Sequence, residues 1–497
     1  MKHSRKVQAA ALSIGKISAN MAGLLTLAVL ARLFTQEAYA SYRQVLLAYG
    51  FVAPLLTLGL PKALYYFLPG SGDKARARLI ENVLVLSGMG LVFGALLAFG
   101  GSTWLAHHFD NPKLEPLLQA FAFYPVFLLP SLALPACLVV QGKAILSALY
   151  SIASRLLIAL LVIAVALYTD EVEPALQAMV VGTGIMTLVA FWLMWRSVPV
   201  GNGRVSWKET WGQVRYSTPL GLTNIMGNVA MNLDKWVVAA MASPASFAVF
   251  VNGAMQLPIV GALTDSITAV MLPDMSKASK SGDFKSCLPL WRRASEQCAH
   301  LLFPLTAGLM MLAPEAMVIL YGDAYAASAI PFAIYLLILP SRIVRFDAVF
   351  MATGRSGLLF NRTIAFLLLT IISNVYFVRW FGPNGAAAAT VLCTVVFAQP
   401  YNLYFLRKAF HAPVSELFPW KTLALIGLLS IVAGAAGYGG KELVIQQPPI
   451  VRVIVGTVVF GLVYAPALLA TGLVPWKTVR SRWGKLRREG PRAVLAF

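Results

Sequence analysis

Thr35-Gln36-Glu37-Ala38-Tyr39-Ala40-Ser41-Tyr42 and, 208 residues later, Ser243-Pro244-Ala245-Ser246-Phe247-Ala248-Val249-Phe250 read as two copies of one junction. Each opens on a hydroxyl residue and then sets aromatic, alanine and aromatic at matching positions (Tyr39 and Phe247, Ala40 and Ala248, Tyr42 and Phe250). At the same offset Asn20 falls on Asn228, so the match reaches back into the apolar run before each junction. The copies follow the first and the seventh apolar runs. Two six-helix halves in the same orientation are expected from this, related by a pseudo-two-fold axis along the membrane normal, with a cavity between them.

The 497 residues are 59% hydrophobic and 12% charged, with a mean hydropathy of +0.73. A soluble domain carries about 25% charged residues, so this is a membrane protein. Hydropathy, turns and charges divide it into spans near 12–33, 44–67, 80–101, 116–140, 151–168, 175–195, 216–241, 248–273, 294–320, 331–351, 360–380, 386–406, 422–440 and 453–474. The expected fold is an all-α polytopic membrane protein of about 14 transmembrane helices, arranged as two pseudo-symmetric six-helix bundles plus two C-terminal helices. The expected boundaries are 1–195 for the first bundle, 196–215 for a cytoplasmic linker and 216–410 for the second bundle. Two further helices occupy 411–474, and 475–497 forms a basic tail. The first run follows Lys2, Arg5 and Lys6 without a small-residue cleavage site after a short apolar core, and is read as an uncleaved helix. Fourteen spans of about 20 residues leave no room for a soluble catalytic domain.

The net charge of +20 would suggest nucleic acid in a soluble chain. Here it fits loops held against an anionic inner leaflet, and no nucleic-acid partner is expected. Of the 40 Lys and Arg residues, 28 fall in the N-terminus, the even-numbered loops and the tail. Only six (Arg32, Arg43, Lys113, Arg379, Lys441, Arg452) fall at the outer ends and loops, and six lie within spans. That bias puts both termini in the cytoplasm. The four cysteines show no metal-ligand spacing, and the five histidines are scattered. With no nucleotide-binding loop and no HExxH, no catalytic residue, metal or cofactor is expected, and the chain is read as no enzyme.

Charges in hydrocarbon need a reason, because each costs at least about 2.5–3.5 kcal/mol at a helix centre. Lys16 and Lys62 sit a turn inside the cytoplasmic ends of the first two spans, where they either snorkel or line a basic cavity mouth. Arg32 and Arg155 read as snorkelling. Arg342 and Arg345 share one face if their helix is continuous, and their guanidinium forks suit a phosphate; the alternative is an ion pair, with Asp347 as a partner. Asp234 and Lys235 are adjacent and point about 100° apart, so each is expected to meet another helix. Asp265 could carry a proton or bind a cation, or could be a structural hydrogen-bonding group.

Ser13-Ile-Gly-Lys16-Ile-Ser, Ala31-Arg32-Leu-Phe-Thr35-Gln-Glu-Ala-Tyr39, Gly59-Leu-Pro61-Lys-Ala-Leu-Tyr65-Tyr-Phe-Leu-Pro69, Leu233-Asp234-Lys235 and Ala352-Thr-Gly354-Arg355 together resemble the polysaccharide exporters. These are the Wzx-type lipid-linked oligosaccharide flippases of the multidrug/oligosaccharidyl-lipid/polysaccharide superfamily. The likeness runs through about 410 residues and is strongest in the first 70. It implies a V-shaped, MATE-like pair of bundles in the bacterial inner membrane. By alternating access these would move an undecaprenyl-pyrophosphate-linked oligosaccharide outward for cell-surface polysaccharide biosynthesis, coupled to protons or sodium. Membrane lipids, a polysaccharide polymerase and glycosyltransferases are the implied partners. Arg32, Lys62, Asp234, Lys235 and Arg355 fall on motif positions. The resulting site reading assigns Lys16, Arg32, Lys62, Lys235, Arg342 and Arg345 to substrate and Asp234 and Asp265 to ion coupling. A drug or cation antiporter of the same superfamily and a membrane-embedded glycan polymerase or ligase stay open beside the flippase. Against the antiporter, the spans hold six basic residues and two clear acidic ones.

Overall fold

Both matching junctions are helix starts. Thr35 precedes a helix over Gln36–Thr57 and accepts the Ala38 amide at 3.3 Å; Ser243 precedes one over Pro244–Gly253 and accepts the Ser246 amide at 3.3 Å. Their backbone angles, −61°/157° and −60°/153°, are those of extended N-cap residues whose side-chain oxygen satisfies an orphan helix amide. The preceding helices end at Leu33 and Met241, again 208 apart. The repeat is therefore a repeat of backbone geometry.

The computed structural model describes residues 5–255 and 257–473, and the basic tail lies outside the described residues. In chain order the helices are α1 (Arg5–Leu33), α2 (Gln36–Thr57), α3 (Leu60–Phe67), α4 (Ala75–Leu96), α5 (Ser102–His108), α6 (Leu114–Phe121), α7 (Tyr124–Ser131), α8 (Leu134–Val140), α9 (Ala144–Thr169), α10 (Val172–Ser197), α11 (Trp207–Met241) and α12 (Pro244–Gly253). They continue as α13 (Pro258–Lys280), α14 (Leu288–Met311), α15 (Ala313–Tyr321), α16 (Ala329–Leu336), α17 (Phe346–Ala352), α18 (Ser356–Phe381), α19 (Pro383–Leu392), α20 (Gln399–Phe410), α21 (Val414–Leu417), α22 (Trp420–Glu442) and α23 (Pro449–Ala470).

Nine helices are long and apolar enough to cross a membrane, or up to twelve if each of three bent pairs is one span, among the described residues. Runs expected to be straight are broken: 114–140 bends by 43°, 284–321 by 72° and 323–352 by 43°. In each case a proline (Pro125, Pro314, Pro340) stands within three residues after the break, where it lacks an amide hydrogen and crowds the carbonyl one turn back. Helix α11 stands outside the apolar set because Asn224, Asn228, Asn232, Asp234 and Lys235 interrupt it.

The chain divides into two units. Unit 1 comprises Met1–Ala262, Leu320–Pro331 and Phe360–Cys393; unit 2 comprises Leu263–Ile319, Phe332–Leu359 and Thr394–Phe497. Inside unit 1, α1 packs along α9 at Gly15, where an added Cβ would stand 2.9 Å from that of Ala148. Inside unit 2, α22 meets α23 at Gly437 and Gly456, where a Cβ on Gly437 would fall 2.8 Å from the Gly456 carbonyl. Small residues let the backbones approach, which is how helices gain packing energy when lipid removes the hydrophobic drive between them.

Candidate functional site

Two turns into α2, Arg43 enters a polar cluster within unit 1. Its Nη1 donates to Tyr39 Oη at 2.8 Å and to Asn252 Oδ1 at 2.9 Å, and Nη2 donates to the Val251 carbonyl at 3.4 Å. Tyr39, fully buried, donates its own hydroxyl to Asn252 Oδ1 at 2.8 Å and packs edge-on against Tyr325, ring centres 5.7 Å apart. Asn252 lies at the repeat position of Gln44, so the cluster joins the two copies of the junction helix, α2 and α12.

Lys235 adds a second cation. Its Nζ donates to Asn232 Oδ1 at 3.2 Å, and Asn232 Nδ2 donates to the side chain and carbonyl of Asn228 at 3.1 Å. Asp234 is buried, 5% exposed, and Oδ1 accepts the Lys235 amide at 2.8 Å. The Lys235 charge feels both Asp234 and Arg43. Among the described residues, this part of unit 1 brings together two cations and one carboxylate. The hydrogen bonds shown use three of the five guanidinium donors and one of the three ammonium donors, and such spare donors suit phosphate oxygens.

The other expected site residues are divided between the two units. Lys16, Arg32 and Lys62 are exposed in unit 1, and Arg32 Nε donates to the Leu320 carbonyl at 3.3 Å. Arg342 and Arg345 belong to unit 2, where the helix that was to align them is broken: Leu339–Arg342 is a 3-10 turn, and Arg345 is extended at the start of α17. The i, i+3 face argument therefore does not apply to them. Arg345 instead pairs with Asp347, Nε to Oδ1 at 3.1 Å, both partly exposed. Asp265 falls on α13, and its side chain lies outside what the structure describes.

Sequence reading missed Arg43 by starting the second span at residue 44 and leaving the arginine outside. The signal was present in the hydroxyl residue Thr35, the N-cap eight residues before Arg43, which starts the helix early enough to place the arginine inside it.

A family model described as "Polysaccharide biosynthesis protein" matches residues 29–330. Among solved structures, the lipid II flippase MurJ in its inward closed conformation superposes with a TM-score of 0.68 at 17% identity, covering 92% of this chain and 98% of its own. An inward-facing multidrug resistance MATE family transporter of the MOP superfamily gives a TM-score of 0.58 at 16% identity, covering 82% and 98%. A MOP superfamily transporter from Pyrococcus furiosus gives 0.55 at 15% identity, covering 84% and 97%. At these identities the likeness is one of fold. No curated protein matches the chain in sequence.

Proposed function

The chain belongs to the polysaccharide biosynthesis protein family, and from that premise we propose that it is a flippase moving an undecaprenyl-pyrophosphate-linked oligosaccharide across the bacterial inner membrane by alternating access. It is a multi-pass membrane protein with the helical fold shared by MurJ and the MATE transporters. The observation that carries the proposal is the polar group around Arg43 and Lys235. A pyrophosphate crossing an apolar slab loses its hydration, and fixed guanidinium and ammonium donors replace part of it. Two cations against one carboxylate disfavour a cationic drug as cargo. The gene-deletion test is direct: without this protein, a pyrophosphate-linked oligosaccharide accumulates on the cytoplasmic leaflet. A deletion strain with an unchanged distribution of that lipid contradicts the proposal.

In this reading glycosyltransferases supply the substrate and a polysaccharide polymerase consumes it outside. The 28-to-6 bias of Lys and Arg favours both termini in the cytoplasm. Cysteines placed at Asp73 and Ser281 are then shielded from an impermeant thiol reagent in intact cells, whereas one at Glu171 reacts. Labelling at 73 and 281 from outside reverses the orientation.

Export against a gradient needs free energy, and the membrane potential supplies about 2.3 kcal/mol per unit charge per 100 mV. Asp265 is proposed as the carrier of a coupling proton or sodium ion, with Asp234, beside the Lys235 cation, as the competing site. Asp265→Asn makes translocation in proteoliposomes indifferent to an imposed pH, sodium or potential gradient. A response equal to that of the wild type removes Asp265 from this role.

A further inference from the structure

The first turns of α4 carry a second polar network in unit 1, away from Arg43 and Lys235. Glu81 is 1% exposed and accepts from two directions: the Ser206 amide at 3.0 Å on Oε1 and Gln213 Nε2 at 2.9 Å on Oε2. Ser206 is the N-cap of α11, so a carboxylate of α4 stands at the positive end of the helix that opens the second repeat. Gln213, also 1% exposed, donates to the Arg78 carbonyl at 3.0 Å and accepts from Asn82 Nδ2 at 3.1 Å. Asn82 in turn reaches the Leu60 carbonyl at 3.0 Å, and Arg78 bridges Glu81 and Glu209 of α11. The chain entering α11 is held as well: the Gly203 amide donates to the Asp73 carbonyl at 3.2 Å, and Arg76 donates to the Trp195 carbonyl at 2.8 Å while lying over its ring.

We propose that Glu81, Gln213, Asn82 and Arg78 form a latch that ties the start of α11 to α4 and opens once in every transport cycle. Its role in transport rests on the flippase reading; its opening does not. Two observations favour opening of this network. The ties that carry it are polar, and a hydrogen bond exchanged for one to water gives little net stability, so water entering an opened network replaces what is lost. The network is also incompletely satisfied: Asn82 Oδ1 and Arg76 Nε are buried and find no hydrogen-bond partner among the described residues. Opening hydrates both atoms, which shifts the balance toward the open state. The outer member, the Arg78 to Glu209 pair, has its carboxylate 41% exposed and is the first contact water can reach.

The test uses the full-length protein with its four native cysteines replaced and carrying Glu81→Cys and Gln213→Cys. In proteoliposomes given undecaprenyl-pyrophosphate-linked N-acetylglucosamine, oxidation to the cross-linked form lowers translocation at least twentyfold and reduction restores it. A cross-linked protein that moves the lipid at the reduced rate overturns the latch. A second measurement needs no substrate. A single Gln213→Cys thiol reacts with a soluble maleimide, and adding Glu81→Ala raises the rate at least tenfold while a buried Ala175→Cys control is unchanged. Equal rates with and without Glu81 also overturn it. If the wild-type protein moves no undecaprenyl-pyrophosphate-linked oligosaccharide, the flippase reading fails while the maleimide rates still decide whether the network opens.

Discussion

Glu315→Ala lowers the stability of the protein by ~3–5 kcal/mol, the usual cost of removing one member of a buried ion pair. Glu315 and Lys441 are each 1% exposed and 2.8 Å apart, and Arg452 closes on the other carboxylate oxygen at 2.7 Å. Lys441 also donates at 2.7 Å to the carbonyl of Met311, the last residue of α14, so one ammonium both pairs with an acid and satisfies a helix-end carbonyl at the 72° break. The cluster fastens α22 and α23 to the bend between α14 and α15. Without the carboxylate, Lys441 remains buried among carbonyls and Arg452 retains only Glu442, at 3.5 Å. Thermal unfolding in detergent checks the expectation. Glu315→Gln combined with Lys441→Met should cost less than the sum of the two single changes, because the double variant leaves neither member of that pair charged and alone. Strict additivity would mean that the pair is not coupled.

Exchanging both Arg43 and Lys235 for Gln lowers translocation by about two orders of magnitude or more, while the protein stays folded and in the membrane. A charge-assisted hydrogen bond is worth about 1.5–3 kcal/mol, or ~10–150-fold for each residue. Arg43→Lys falls between, since an ammonium keeps the charge and loses the fork that meets Tyr39, Asn252 and a phosphate together. Wild-type transport by the double variant would move the substrate site elsewhere in the chain.

Much of this architecture is legible in the sequence because it depends on local rules. Apolar runs mark the helices, and Thr35 and Ser243 mark matching starts that the structure reproduces in angle and hydrogen bond. The bends at Pro125, Pro314 and Pro340 were harder to read, since a proline breaks or only kinks a helix according to what packs around it. The Glu315 cluster was missed for another reason. Hydropathy pushes Lys441 and Arg452 toward a loop, and the acid that buries them lies 126 residues from Lys441 in the chain. The arginine pair differs for a local reason: the 3-10 turn between helices breaks the face that Arg342 and Arg345 were expected to share, and Arg345 takes the alternative partner, Asp347.

In the proposed function this chain alone carries a pyrophosphate-linked saccharide across a bilayer. The most direct measurement is protection of an undecaprenyl-pyrophosphate-linked oligosaccharide from an enzyme added outside proteoliposomes, with purified protein and no other component. Wild-type protein should bring the inner-leaflet pool within reach of the enzyme, and the Arg43→Gln, Lys235→Gln protein should leave about half of the lipid protected, as empty liposomes do. Equal protection with wild-type protein and with empty liposomes would contradict it.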